Sequence, residues 1–274
     1  MKYLFNLIKI GIIIATLLSC GVVSAQDDEF ENYTFDDNDT QKLPYFALSF
    51  GGNIHSLFMK YDEINKKLGN SDIMKELQFS GPIFGWGINF FSAISPLLNN
   101  TRVGISYFSG NQSQEFNKNV IIDSPVSTSI DINYYRKLSI TNTGLHFDYA
   151  IVPIKSMAIL PGLGVKFGTM TLEQYSTGMQ RDWNSKPNFI DTELFNEKLE
   201  YSYIAIEPQV NIEYAITGFF MLKAAAGYSL PFDNPFVGSA WTINGSNKYT
   251  GVPKDIKPQG FTASVGIYLG LFNY

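Results

Sequence analysis

The chain has 274 residues, of which 16% are charged and 15% aromatic, and its formal net charge at pH 7 is −5. The low charge, against roughly 25% in an average soluble domain, and the lack of a basic cluster argue against a nucleic-acid partner. Beyond the amino terminus, no run approaches the ~20 apolar residues of a spanning helix, which excludes a helical membrane protein.

The first residues have the features of a secretory signal peptide. Lysines flank the start of the segment, an apolar stretch follows from Ile10, and the small residues of VSA end at Ala25, as cleavage requires. We expect residues 1–25 to be removed together with Cys20, the only cysteine. The sequence LLSC leaves open the alternative of a lipoprotein signal, in which Cys20 is acylated.

Residues 26–43, QDDEFENYTFDDNDTQKL, are acidic and contain few aliphatic side chains. This composition predicts a solvated, mobile periplasmic tail. The carboxylates are not spaced as in an EF-hand loop, so we expect no calcium site there. The folded domain is accordingly predicted to cover residues 44–274.

From residue 44 onwards, apolar and polar residues alternate with a period of two, which is typical of strands whose faces meet different environments. Each alternating segment reaches the ~9–11 residues that a tilted membrane strand needs. The eight predicted segments are residues 44–54, 79–92, 101–110, 138–153, 157–172, 200–216, 219–230 and 261–273.

Short and long connections alternate strictly between these segments: three are tight turns, and the other four each run to about 25 residues or more. An up-and-down barrel crosses a membrane in this way, with short periplasmic turns and longer outer loops. A soluble β-sandwich is the alternative, but unstructured loops of this length are uncommon in compact soluble domains. The predicted fold is all-β: an eight-stranded antiparallel up-and-down transmembrane β-barrel with four long extracellular loops.

The strand faces predict what fills the barrel, because the apolar face of a membrane barrel meets lipid and the polar face points inward. An eight-stranded barrel has an interior that side chains just fill, and buried charges there require partners. Because the inward charges are nearly balanced, we predict a plugged, ion-paired lumen. Its predicted polar network consists of Arg102, His146, Asp148, Lys166, Glu207, Glu213 and Lys223.

The chain ends inside an alternating segment, ASVGIYLGLFNY, which places Tyr274 near the periplasmic interface. The stretch SVGIYLGL resembles the carboxyl-terminal signal by which bacterial outer-membrane barrels are recognised for assembly. With the signal peptide and the hairpin rhythm, residues 44–274 resemble small outer-membrane barrels of the OmpA/OmpX type. This resemblance of architecture implies a bacterial outer-membrane location, contact with lipid and lipopolysaccharide, and the barrel-assembly machinery as a partner.

Some small outer-membrane barrels are enzymes that act on lipid, and those resemble Ser–His–acid hydrolases. The motif GLHFDY puts His146 and Asp148 on one face, and Ser106 is a candidate nucleophile on the neighbouring segment. This pair points inward, whereas lipid lies outside, so we interpret it as part of the polar network. We therefore assign no catalytic residue and expect a protein that is not an enzyme.

His55 opens the stretch HSLFMKYDEINKKLG, which predicts an amphipathic helix in the first outer loop, with Gly69 as its carboxyl-terminal cap. The apolar residues at helical spacing are Leu57, Tyr61, Ile64 and Leu68. The two histidines are far apart in sequence and predict no zinc site. The glycines at 162, 164 and 168 lie within a strand, so they do not predict a phosphate loop. No metal or cofactor is expected.

The leading functional hypothesis is a non-enzymatic outer-membrane barrel that serves as a membrane anchor. Its long extracellular loops, rich in Asn, Ser, Tyr and Phe, would mediate interaction or adhesion with a protein or glycan partner. Two alternatives remain open: a narrow channel or transporter for small or hydrophobic solutes, and a lipid-modifying outer-membrane enzyme.

Overall fold

The computed structural model describes residues 45–66, 75–94, 98–122, 128–177, 196–237, 240–245 and 247–273, which all belong to the unit Leu43–Tyr274. The predicted signal peptide, the predicted acidic tail and Tyr274 lie outside these residues. Among the described residues, no helix is long and apolar enough to cross a membrane.

The described residues are almost entirely β-structure. The elements in chain order are β1 (Phe46–Met59), α1 (Asp62–Lys66), β2 (Ile83–Ala93), β3 (Thr101–Ile122), β4 (Thr128–Tyr149), β5 (Ile151–Ile154), β6 (Met157–Thr177), β7 (Asn196–Thr217), β8 (Phe220–Asp233), β9 (Trp241–Ile243), β10 (Asn247–Lys248) and β11 (Gly260–Asn273).

Eight of these strands close into an antiparallel barrel, in the order β1, β2, β3, β4, β6, β7, β8 and β11. Closure occurs between the first and last strands, where Phe46 lies opposite Asn273 and Met59 opposite Gly260. Two-residue turns join β5 to β6 and β7 to β8, and both ends of the barrel sequence lie at the end with these short turns. The predicted eight-stranded up-and-down barrel is confirmed.

The predicted strand ends are wrong on the side of the long connections. β3 ends at Ile122 rather than 110, and β4 begins at Thr128 rather than 138, with continuous pairing from Thr101 opposite Tyr149 to Ile122 opposite Thr128. The second predicted loop is therefore a strand arm for most of its length. On β4 the alternation continues with its polarity reversed, whereas residues 110–118 of β3 are polar on both faces apart from Phe116. Neither stretch matches a search for one constant pattern.

The helix predicted from the spacing of Leu57, Tyr61, Ile64 and Leu68 is mostly wrong. Residues up to Met59 belong to β1, because β1 pairs with β11 through Met59 and with β2 through Leu57. Only Asp62–Lys66 is helical, and Leu68 and Gly69 lie outside the described residues. Pairing on both sides of a strand outweighs a weak helical periodicity.

An apolar belt surrounds the lower part of the barrel, where outward side chains are exposed, as in Ile54 (70%) and Val265 (65%). On β7 the belt runs from Ile204 to Ile216, which spans roughly 30 Å at 3.3 Å per residue and a 40° tilt. This matches the thickness of a bilayer core. With the charged interior described below, the belt makes the chain an integral β-barrel of the bacterial outer membrane.

Above the belt, four neighbouring strands continue as a projecting sheet, here named the wall. It comprises residues 109–122 of β3, 128–141 of β4, 169–177 of β6 and 196–202 of β7. Its inner face carries apolar side chains together with a few buried polar ones, such as Arg136 and Gln174, and is packed by the β1–β2 and β8–β11 connections. The buried residues of this upper apolar cluster include Tyr61, Ile64, Phe79, Leu138, Ile140, Met170, Leu172, Leu199, Tyr201, Trp241 and Ile256.

Candidate functional site

The centre of the polar interior is the carboxylate of Asp148 on β4. Its Oδ2 accepts hydrogen bonds from Arg102 Nε (2.8 Å) and from His146 Nδ1 (3.0 Å). Its Oδ1 accepts from Gln209 Nε2 (3.1 Å) and Asn211 Nδ2 (3.2 Å). A carboxylate has about four acceptor sites, so Asp148 is fully satisfied although it is almost completely buried.

The strand opposite Asp148 supplies the space for this carboxylate. Gly162 on β6 faces Asp148 in the register, and a Cβ atom at Gly162 would overlap the Asp148 carboxylate. The absence of a side chain at Gly162 therefore makes room for the buried carboxylate.

Arg102 links Asp148 to a second carboxylate. Its Nη1 donates to Glu213 Oε1 (2.6 Å) and to the hydroxyl of Tyr45 (3.2 Å), and its guanidinium lies 4.0 Å from the ring centre of Phe91. Lys223 completes this group, with its Nζ 3.9 Å from Glu213 Oε1. Five of the seven predicted network residues are thus brought together.

The other two predicted residues form a separate pair higher in the barrel. Lys166 Nζ donates to Glu207 Oε2 at 2.7 Å, and Thr262 donates to Glu207 Oε1 at 3.3 Å. Three cationic and three anionic side chains therefore neutralise one another inside the barrel. Such pairing is what keeps charges stable in a low-dielectric interior.

A polar cavity of about 40 Å³ lies between the two groups, large enough for a few water molecules. Four polar atoms on residues lining it have no hydrogen-bond partner among the described residues: Asn53 Oδ1, Asn142 Oδ1, Asn211 Oδ1 and His146 Nε2. Buried polar atoms are normally satisfied by protein or water. The cavity is therefore suited to hold ordered water rather than an apolar ligand.

Apolar layers close the interior at both ends. The upper apolar cluster lies above the Lys166–Glu207 pair, and a lower cluster lies at the end with the short turns. The lower cluster consists of Tyr45, Ala47, Phe91, Ala93, Ala150, Ala158, Leu160, Met221, Tyr268 and Phe272. The charged groups are thus enclosed between two layers of packed side chains.

His146 is the side chain in this region that is best placed for acid–base chemistry. Because Nδ1 donates to the Asp148 carboxylate, Nε2 carries a lone pair and is able to accept a proton. Ser106 lines the same cavity, but no hydrogen bond joins it to His146 among those of the described residues. The arrangement therefore has a base and an orienting acid, without a positioned nucleophile.

The structure also places His55 in this cavity, rather than in an outer loop. Its ring contacts Phe108, with ring centres 4.5 Å apart, and it lies on the inward face of β1. The two histidines are far apart in sequence, yet both line one cavity. No group of three or more His, Cys, Asp or Glu side chains suited to a metal occurs in the described part of the chain.

Arg136 on the wall is a buried cation that the sequence analysis missed, because it was assigned to a loop. Its Nη2 donates to the carbonyl of Ile64 (2.6 Å), Nε to Gln174 Oε1 (2.9 Å) and Nη1 to the carbonyl of Leu77 (3.3 Å). Burial among these neutral partners lowers its pKa to about 10. The signal was present, since Arg136 continues the inward series from Asp148 in steps of two.

No family model matches the sequence, and no curated protein matches it either. Solved structures of several bacterial proteins have a similar fold. A major outer membrane protein of Thermus thermophilus is 11% identical, with 82% of this chain and 99% of that chain covered and a TM-score of 0.46.

Two further structures are similar at 10% identity. The attachment invasion locus protein Ail of Yersinia pestis, solved with the heparin analogue sucrose octasulfate, covers 84% of this chain and 99% of its own, with a TM-score of 0.35. Neisserial surface protein A covers 82% and 96%, with a TM-score of 0.34. These similarities concern the fold alone.

Proposed function

We propose that the protein is a non-enzymatic outer-membrane barrel that anchors a projecting extracellular surface for interaction or adhesion. The observation that carries this proposal is the filled interior, in which paired charges lie between two apolar layers. An interior of this kind stiffens the barrel and leaves the parts above the membrane for contact with partners.

The pairing of β7 with β8 shows no lateral opening through which a solute could pass. At Pro208 in β7 the ladder to β8 lacks a hydrogen bond, since proline has no N–H. The register is nevertheless the same on both sides, with Ile206 opposite Leu230 and Gln209 opposite Gly227. The strands therefore stay adjacent across this point.

Planar-bilayer recording with the purified mature protein tests the filled interior. We expect no large, steady conductance. A double variant, Arg102→Ser with Glu213→Ser, removes two of the longest side chains of one layer and is expected to raise the conductance, which shows that the assay detects a pore. A large, steady conductance from the unmodified protein would contradict the proposal and favour the channel alternative.

The second candidate is a lipid-modifying enzyme, because the His146–Asp148 pair leaves Nε2 of His146 open toward a cavity that Ser106 also lines. Mass spectrometry of lipid A and phospholipids compares cells with the protein, cells without it, and cells with His146→Ala. We expect three identical lipid profiles. A mass change that disappears with His146→Ala would establish the enzyme instead.

A further inference from the structure

The outward face of the wall is a regular polar lattice set by the strand registers. Side chains on β3, β4, β6 and β7 fall into rows, because each outward residue lies opposite an outward residue of the next strand. The first four rows, from the belt upward, are Ser109–Thr141–Thr169–Ser202, Asn111–Ser139–Thr171–Glu200, Ser113–Lys137–Glu173–Lys198 and Glu115–Tyr135–Tyr175.

The fourth of these rows carries a pair of aromatic rings, and the row Asn117–Asn133 lies above it. The rings of Tyr135 and Tyr175 are stacked, with centres 4.6 Å apart and an interplanar angle of 29°. Both side chains are partly exposed. A stacked tyrosine pair is a rigid aromatic surface that costs little conformational entropy to hold in place.

The charges on this face do not favour an anionic ligand. The two lysines, Lys137 and Lys198, are outnumbered by Glu115, Glu173 and Glu200, and Lys198 is paired with Glu200 at 2.8 Å. A phosphate-binding surface would need an excess of Arg or Lys. Hydroxyl and amide groups predominate in the two rows nearest the belt, and these groups both donate and accept hydrogen bonds.

The position of the lattice points to its occupant. The first row follows directly on the lipid-facing belt of the same strands, so the face is continuous with the lipid interface. From Thr143 to Tyr135, the strand rises roughly 20 Å at 3.3 Å per residue and a 40° tilt. This is the layer that the headgroups of the outer-leaflet lipids occupy, and in an outer membrane those headgroups carry sugars.

We propose that the outward face of the wall binds the saccharide part of the surrounding outer-leaflet glycolipid, with sugar rings stacked on Tyr135 and Tyr175. Sugars present C–H groups on one ring face and hydroxyl groups at the edge. The tyrosine pair suits the first, and the Ser, Thr and Asn rows suit the second. The inference rests on the proposed function and specifies its partner as the cell's own surface saccharide.

The test uses the full mature protein in detergent micelles, with core oligosaccharide released by mild acid from the lipopolysaccharide of the cell's own outer membrane. Binding is followed by saturation-transfer NMR on the sugar ring protons. We expect the double variant Tyr135→Ala with Tyr175→Ala to bind about tenfold more weakly. The double variant with phenylalanine at both positions keeps the rings, and is expected to bind nearly as well as the unmodified protein.

Tyr149→Ala is the matched control, because Tyr149 is an outward tyrosine at the opposite end of β4, within the lipid belt. We expect unchanged sugar binding from it. Equal binding by the alanine pair and the unmodified protein would overturn the inference. Equal competition by lipid A that lacks core sugars would also overturn it, by showing recognition of phosphate or acyl groups.

A change from dimer to monomer in the alanine pair, measured by sedimentation, would instead identify a second copy of the chain as the occupant and overturn the saccharide proposal. A failure to detect sugar binding would contradict the saccharide proposal but not the proposal of a filled interior. The conductance and lipid-profile experiments test that interior separately, so the two proposals fail independently.

Discussion

The same strands have opposite polarity at two levels of the molecule. At the level of the belt, β4 points Leu145 and Phe147 outward and His146 and Asp148 inward. In the wall, β4 points Ser139 and Thr141 outward, and Leu138 and Ile140 inward. β6 and β7 invert in the same way. The alternation in direction never changes; only the medium outside the strand does, so the inversion marks where each strand leaves the lipid.

The two levels are also held together differently. Inside the belt, ion pairs and hydrogen bonds organise the interior, and apolar side chains are placed in lipid. Inside the wall, apolar packing organises the interior, as in a soluble domain. The same substitution on the same face should therefore change the free energy of unfolding by different amounts at the two levels, and this gives ways to test the comparison.

The largest effect is expected from Asp148→Ala at the level of the belt. The substitution leaves the Arg102 guanidinium without one of its two carboxylates and His146 without its acceptor. Removing one partner of a buried charge pair typically costs about 3–5 kcal/mol, and we expect a loss of that size in the free energy of unfolding in urea. Asp255→Ala, at an exposed carboxylate in the β8–β11 connection, should change it by less than about 0.5 kcal/mol. Similar losses for both variants would show that the network does not hold the barrel together.

A second prediction places one substitution outward at both levels of β6. Leu163→Lys puts an ammonium group into the middle of the lipid belt and should destabilise the barrel by about 2–4 kcal/mol. Thr171→Lys makes the same outward change in the wall and should cost less than about 0.5 kcal/mol. Urea unfolding in phospholipid vesicles measures both. Equal costs would mean that the polarity inversion does not mark the membrane surface.

The third prediction concerns the wall's buried guanidinium identified above. Arg136→Met removes the donor that holds the carbonyls of Ile64 and Leu77, and hydrogen bonds from a charged group are worth about 1.5–3 kcal/mol. We expect faster amide hydrogen exchange in the β1–β2 connection. Lys137→Met, the outward neighbour on the same strand, is the control and should leave exchange there unchanged. Unchanged exchange in both variants would show that Arg136 does not secure this connection.

The sequence predicted the belt level well, and the wall poorly, for a physical reason. At the belt, lipid surrounds every strand, so apolar residues face outward throughout. The outward Ile and Val residues of β7 and its inward Glu207 and Glu213 could therefore be predicted without knowing the neighbouring strands. In the wall, the inner face buries its apolar side chains only because the β1–β2 and β8–β11 connections cover it. That cover depends on long-range contacts, which is why Arg136 and the extension of β3 were missed.

The charged side chains of the site were predictable from the sequence, but their neutral partners and their arrangement were not. The alternation in each strand indicated the inward set, yet the convergence of four donors on Asp148, and the separation of Lys166–Glu207 from the rest, follow from the register between strands. Register depends on turn geometry and closure. His55 was missed for the same reason, because two-sided pairing kept β1 extended where the spacing suggested a helix.

The smallest expected effect concerns Tyr61. It tests whether this tyrosine is as well packed inside the wall as a tyrosine in the core of a soluble protein. Tyr61 lies in the upper apolar cluster, its hydroxyl has no hydrogen-bond partner among the described residues, and burial raises its pKa from 10.0 to about 12. The neutral form is favoured in the folded state, so the stabilisation is complete below pH 10 and is lost as the pH rises to about 12. Tyr61→Phe should therefore unfold with a shallower dependence on pH in this window, and its tyrosinate absorbance at high pH should lack one late-titrating group. An unchanged slope would show that Tyr61 reaches water, and that the connection over the wall is open rather than packed.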